Sequence, residues 1–239
     1  MSEKPLPLEI IPQPDETTCG PACLASVYRY FDDPAPLESI ISGVESLDEG
    51  GTLDVFLACH ALERGYRATI YPYNLNLFDP TWFHPGVDIG EKLRQQARVK
   101  HSRKLQRATS GYRKFLKLGG ELRFKDLGDA LLRQHLGKGV PVMCGLSATF
   151  LYGSARERPE DCEDDDIRGE PLGHFVVLSG YDAASREVRI ADPYQLNPIT
   201  GDHYYTVKLE RLVGAIFLGI VTYDANLLVI EPARAGANG

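Results

Sequence analysis

The chain has 239 residues, a net charge of −7, and 43% hydrophobic against 25% charged residues. That is the balance of a soluble globular protein long enough to bury a core, and no apolar run reaches membrane-spanning length. The start, M-S-E-K-P-L-P-L-E, has no apolar signal-like stretch, so the expected location is cytoplasmic; five irregularly spaced cysteines, odd in number, argue against a disulfide framework.

A proline-punctuated arm (Pro5, Pro7, Pro12, Pro14) leads to a helix beginning near Cys19 and stopping before Asp32-Asp33-Pro34. Pro21 suits a first helical turn, where its missing N–H costs nothing. A second helix is expected from Leu37 to about Ser46, and a third after the N-cap candidate Thr52, ending at Gly65. Y-R-A-T-I-Y then reads as a short strand. Residues 82–118 carry an interrupted helical pattern, and Asp126–Leu136 a further helix with Gly137 as C-cap. After that the character turns to β. V-P-V-M-C-G-L, H-F-V-V-L-S-G-Y, R-E-V-R-I-A-D, Y-Y-T-V-K-L, A-I-F-L-G-I-V-T-Y and L-L-V-I all read as strands. A helical first half followed by a β second half predicts an α+β fold, not alternating βαβ units. One domain over 1–239 is expected, with a basic helical insertion at about 80–120 and an acidic loop at about 154–172.

The segment Q-P-D-E-T-T-C-G-P-A-C-L, Gln13–Leu24, places a thiol at the positive end of a helix, a setting that favours thiolate. A cysteine nucleophile needs a base, and the base an orienting partner. Among six histidines, His174 differs in following Gly173 and opening the apolar strand F-V-V-L-S-G-Y. His60, His101 and His135 sit in helical stretches, the latter two read as surface or cap residues; His84 and His203 sit in loops or turns. If the turn after that strand is centred near Ala183, His174 faces Asp192, Val176 faces Ile190 and Leu178 faces Val188, all on one face. Cross-strand neighbours lie about 5 Å apart at Cβ, within reach of an imidazole–carboxylate bond, and a one-residue slip would break the pairing. Cys19 is then the nucleophile, His174 the base and Asp192 its orienting group. Gln13 and the backbone N–H of Cys19 are the oxyanion donors. Cys19 and Cys23 lack a second ligand pair for zinc, so neither metal nor cofactor is expected. Cys59 and Cys144 read as buried small hydrophobes.

Charge is divided unevenly. Glu91–Lys125 carries +10, leaving −17 for the rest, and Glu157–Glu170 holds eight acids against two arginines. These are solvated elements by default; the sharper alternative is a basic surface for an acidic peptide, with the acidic loop as a lid that mimics it. Intramolecular pairing of the two blocks is the plainer outcome. No nucleic-acid-binding motif accompanies the basic segment.

Q-x-x-x-x-T-C-G-P-A-C-L, G-H-F-V-V-L-S-G-Y-D and R-I-A-D-P-Y, in that order, resemble the papain-like cysteine peptidases of the bacteriocin-processing, double-glycine leader peptidase type, in particular their stand-alone relatives. The resemblance implies a papain-like fold, a helical N-terminal half packed on a C-terminal antiparallel sheet. It assigns Cys19 as nucleophile, His174 as base, Asp192 as orienter and Gln13 as oxyanion donor. The activity expected is hydrolysis of a peptide or isopeptide bond through a thioester, on a peptide or protein substrate. Acyl transfer on the same core, or a binding module on a degenerate one, are the alternatives. The basic segment and the acidic loop depart from the family pattern and put a double-glycine leader substrate in doubt.

Overall fold

The computed structural model describes residues 5–47 and 50–233. In chain order the helices are α1 (Cys19–Tyr30), α2 (Leu37–Gly43), α3 (Asp54–Glu63), α4 (Ile89–Ala97), α5 (Arg103–Lys117), α6 (Asp129–Leu136), α7 (Ala148–Tyr152) and α8 (Leu209–Leu218). The strands are β1 (Tyr66–Pro72), β2 (Glu121–Leu122), β3 (Val142–Ser147), β4 (Gly173–Asp182), β5 (Glu187–Ala191), β6 (Tyr204–Lys208) and β7 (Asn226–Pro232). The strands form one sheet in the order β2-β1-β7-β3-β4-β5-β6, antiparallel except for the parallel β1–β2 edge. The architecture is α+β, as expected from the sequence.

The sheet has a hydrophobic core on each face. Alternation along β4 shows this directly: Phe175 and Val177 join the core that contains α1, α3 and α5, while Val176 and Leu178 join the core beneath α6 and α8. Burial on both faces explains the continuous apolar run F-V-V-L, which a half-solvated strand would have broken with polar residues.

The segment A-I-F-L-G-I-V-T-Y corrects the strand expected there. It forms the end of α8 and a 3-10 turn over Gly219–Val221. Leu209, Leu212, Ala215 and Ile216 are buried at helical spacing, whereas Phe217, Leu218 and Val221 are exposed. A helix-period stripe overrode the β propensity of the aromatic and branched residues. The helices at 37–46 and 126–136 are each about three residues shorter than expected; Gly137 is the C-cap of α6, as expected, in a right-handed conformation, and the left-handed glycine after it is Gly139. His135 is buried and bonded to the Tyr71 hydroxyl at 3.0 Å, not on the surface.

The basic segment is part of the core. Leu105, Ala108, Tyr112 and Phe115 of α5 are buried, and Gly111 lets α5 approach Val55 and Phe56 of α3 more closely than a Cβ would permit. Several of its charges pair within the fold: Arg94 with Glu91 at 2.6 Å, Lys114 with Glu63 at 2.9 Å, and Arg107 with Glu45 at 3.6 Å. The acidic loop is tied mainly to itself, through Glu157 bridges to Asp164 and Glu170 and through the Arg168–Asp165 pair. Among the described residues the two charged blocks form no ion pair with each other; each pairs within itself or, for the basic one, with Glu63 and Glu45.

Candidate active site

Two contacts, one to β4 and one to the loop before α3, fix α1 so that its N-terminus meets the start of β4. Cys23, one turn beyond Cys19, donates its thiol to the Phe175 carbonyl at 3.3 Å. Gly20 lies where a Cβ would meet the Thr52 side chain at 2.8 Å, so a larger residue would push the helix end away. Cys23 is therefore a packing residue, and burial raises its thiol pKa. Thr18 does not cap α1 with its side chain, and the first turn carries no acid. The positive helix end is left unneutralised where Cys19 stands, half-buried.

His174 is 6% exposed and Asp192 fully buried. Nε2 of His174 bonds Oδ1 of Asp192 at 2.8 Å, and Cys19 stands close enough to act on the ring electrostatically. Burial alone would favour neutral imidazole, but the Asp192 carboxylate and the Cys19 sulfur outweigh it and raise the His174 pKa to about 10. Burial likewise opposes the Asp192 carboxylate, yet its charge interaction with His174 and its hydrogen bonds hold the pKa below the usual value.

The pairing arises from a register the sequence did not predict. β4 and β5 pair Leu178 with Ile190 and Val177 with Ala191, so Val176, not His174, lies level with Asp192. Nearer the turn the pairing is Tyr181 with Val188 and Asp182 with Glu187, and an irregularity between Leu178 and Gly180 separates the two registers. Extended without it, the turn-proximal register would level Asp192 with Val177, on the opposite face from His174. The extra residue, Ser179, restores the parity. His174 and Asp192 are then diagonal neighbours on one face, close enough for long side chains to meet.

Sequence reading missed the groups that hold Asp192. Its Oδ2 accepts hydroxyl bonds from Tyr205 at 2.6 Å and Tyr152 at 2.8 Å; Oδ1 also accepts the Tyr194 backbone N–H at 2.9 Å. The Asp192 carbonyl faces Nδ1 of His203 at 2.7 Å. Tyr205 is visible in Y-Y-T-V-K-L as a strand residue, but nothing in its spacing points to Asp192. Tyr152 lies in a five-residue helix that no sequence signal announced.

Gln13 is brought beside the site by its backbone, which donates to the Pro193 carbonyl at 3.1 Å. Its amide nitrogen donates to the Asp15 carbonyl at 3.0 Å, and its Oε1 is buried without a partner. The side-chain amide is thus turned toward its own loop, and Gln13 is not among the residues that line the cleft of Cys19 and His174.

Cys19 and His174 line a cleft of about 360 Å³ whose walls include Glu16, Glu157, Glu170 and Asp224, against Lys104 and Arg158. The acidic loop is thus a wall of the cleft, and most of the basic segment lies away from it. All five cysteines are free, no group of potential metal ligands occurs among the described residues, and no described helix is long and apolar enough to cross a membrane.

Residues 104–214 match the model of the Peptidase_C39 like family, which supports a cysteine peptidase-like hydrolase. That span, slightly under half of the chain, contains His174, Asp192, Tyr152 and Tyr205 but neither Gln13 nor Cys19. No curated protein matches the chain. Among solved structures it is similar to the peptidase domain of Streptococcus ComA, at 14% identity over 95% of this chain and 99% of that one, with a TM-score of 0.47. A double glycine motif protease from an AMS/PCAT transporter, in complex with its leader peptide, is 15% identical over 97% and 96% of the two chains, TM-score 0.47. Xylellain, a cysteine protease from Xylella fastidiosa, is 19% identical over 98% and 92%, TM-score 0.40.

Proposed function

We propose that this protein hydrolyses a peptide or isopeptide bond through a thioester on Cys19. The observation that carries the reading is the placement of the imidazole: His174 is bonded to Asp192 at 2.8 Å and lines one cleft with Cys19, whose sulfur is among the groups that raise its pKa. With Nε2 taken by Asp192, the other ring nitrogen, Nδ1, serves the sulfur. It receives the thiol proton, the sulfur attacks the carbonyl carbon, and the imidazolium then protonates the departing amine. Water, deprotonated by the same nitrogen, opens the thioester and restores the thiol. The raised His174 pKa supports the imidazolium that forms when the thiol proton moves to the ring.

Oxyanion stabilisation is assigned to the backbone N–H at the start of α1 and to the second N–H of the Gln13 amide. Asp192 is a positioning residue: by accepting from Nε2 it directs the basic nitrogen to sulfur. The family match supports a peptide substrate.

The test is mass spectrometry after limited iodoacetamide treatment near pH 6. Cys19 should be alkylated well ahead of the exposed Cys162, and the preference should vanish in His174→Ala. Equal labelling of the two would point to a non-catalytic binding module. A peptide and isopeptide library then identifies the bond cleaved.

A further inference from the structure

The cleft that holds Cys19 and His174 is also lined by a carboxylate the reaction above does not use. Asp224 is 7% exposed and opens onto the same space. The turn that presents it is a constrained one. Tyr223 takes a φ of 72°, a left-handed conformation that is costly for a bulky residue. Glycines make the space around it: a Cβ on Gly173 would collide with the Asp224 carboxylate, and one on Gly145 with the Asp224 carbonyl. Gly173 is the residue immediately before His174, so the carboxylate packs against the backbone next to the base.

A buried carboxylate ordinarily has a cation or several donors. The Thr222 hydroxyl beside it donates to the Gly219 carbonyl at 3.1 Å, and among the described residues Asp224 has no ion pair. The charged groups around it are Lys104 from α5, whose ammonium lies over the Tyr223 ring at 5.5 Å, His174 from β4, and Asp54 from α3, which repels it. Burial pushes the Asp224 pKa up to about 7 against the opposing pull of Thr222, Lys104 and His174. The nearer cleft wall adds negative potential: burial and the neighbouring Glu16 and Asp164 raise the Glu157 pKa. Arg158, the other cation of the wall, is bound to Asp161 and Glu163.

We propose that Asp224 is a specificity residue that receives a cationic group of the substrate, a primary amine or a guanidinium, beside the scissile carbonyl. This rests on Cys19 being the nucleophile and names the substrate chemistry: a basic residue or free amine next to the bond cleaved, not an acidic tail.

The experiment compares Cys19 alkylation at pH 8 by two chloroacetamides, identical except that one ends in a primary amine and the other in a methyl group. The native chain should be labelled on the order of tenfold faster by the amine, a difference equivalent to ~1.4 kcal/mol. The preference should disappear in Asp224→Asn and survive in Glu157→Gln. Without any mutation, butylammonium should slow the amine-tailed reagent, and butanol at the same concentration should not. Equal rates for the two reagents on the native chain overturn the proposal. So does a preference that persists in Asp224→Asn, or one lost equally in Glu157→Gln, which would mark a diffuse field. Cys19 reacting no faster than Cys162 with either reagent overturns the nucleophile assignment itself, a distinguishable result.

Discussion

His174 and Asp192 meet at 2.8 Å although the strands that carry them are two residues out of step for a direct pair. Ser179 makes this possible by adding one residue to β4, which shifts the register by one and returns both side chains to the same face of the sheet. The His174–Asp192 pair therefore depends on a residue outside the pair itself. Deleting Ser179 should abolish peptidase activity while leaving most of the secondary structure. Circular dichroism together with a turnover assay checks this; an active deletion variant would contradict the register argument.

Asp192→Asn keeps the shape and removes the charge that holds His174 protonated. Activity should fall by roughly 10²–10⁴-fold, as expected when the orienting acid of a triad is lost. The pH profile carries the sharper signature. In the native enzyme kcat/KM should decline as pH rises through about 10, where the imidazolium is lost. In the variant that decline should begin at lower pH, because the carboxylate that raised the imidazole pKa is absent.

Tyr205 and Tyr152 donate the two hydroxyl bonds that hold Asp192 as a buried carboxylate. Tyr205→Phe should cost about 1.5–3 kcal/mol, the range for a hydrogen bond to a charged group, read as a fall in Tm of several degrees. The Asp192 pKa is depressed in the folded state, so the stability it provides is present above its unfolded value and lost as pH falls. The cost of Tyr205→Phe should accordingly be larger at pH 7 than at pH 3. The Tyr152→Phe/Tyr205→Phe pair should depart from additivity, since both bonds end on one oxygen.

Gln13 supplies one of two oxyanion donors in the proposed mechanism. Gln13→Ala should lower kcat by roughly 10²-fold, near ~3 kcal/mol, with little change in KM. A change confined to KM would place Gln13 in substrate binding instead.

Asp54 is buried beneath α5, with both oxygens receiving the Tyr112 hydroxyl at 3.0 Å, and burial raises its pKa to about 7. Folding favours its protonated form. Its contribution is complete below the unfolded value of 3.8 and is lost as pH rises through about 7. The Tm of the native protein should therefore decline between pH 4.5 and 8, and Asp54→Asn should flatten that decline by at least about 3 °C. Thermal denaturation of the two proteins across that range decides it.

The local elements were largely legible in the chain. Proline and glycine around Cys19 specified a helix start, unbroken apolar runs specified strands buried on both faces, and the motif residues Gln13, Cys19, His174 and Asp192 stood out before any fold was known. These are short-range properties, set by backbone sterics and hydrophobic period. The α8 segment shows the limit even there, because an apolar run such as A-I-F-L-G-I-V suits either a strand or a helix until the sheet it packs on exists. What only the tertiary structure decided lies between elements. The Ser179 bulge set which face Asp192 occupies, and the tyrosines from a distant helix and strand came to share one carboxylate. The glycine-lined turn carried Asp224 into the cleft. Those relationships join residues far apart in sequence, and their energies come from burial and electrostatics that appear only once the chain is packed.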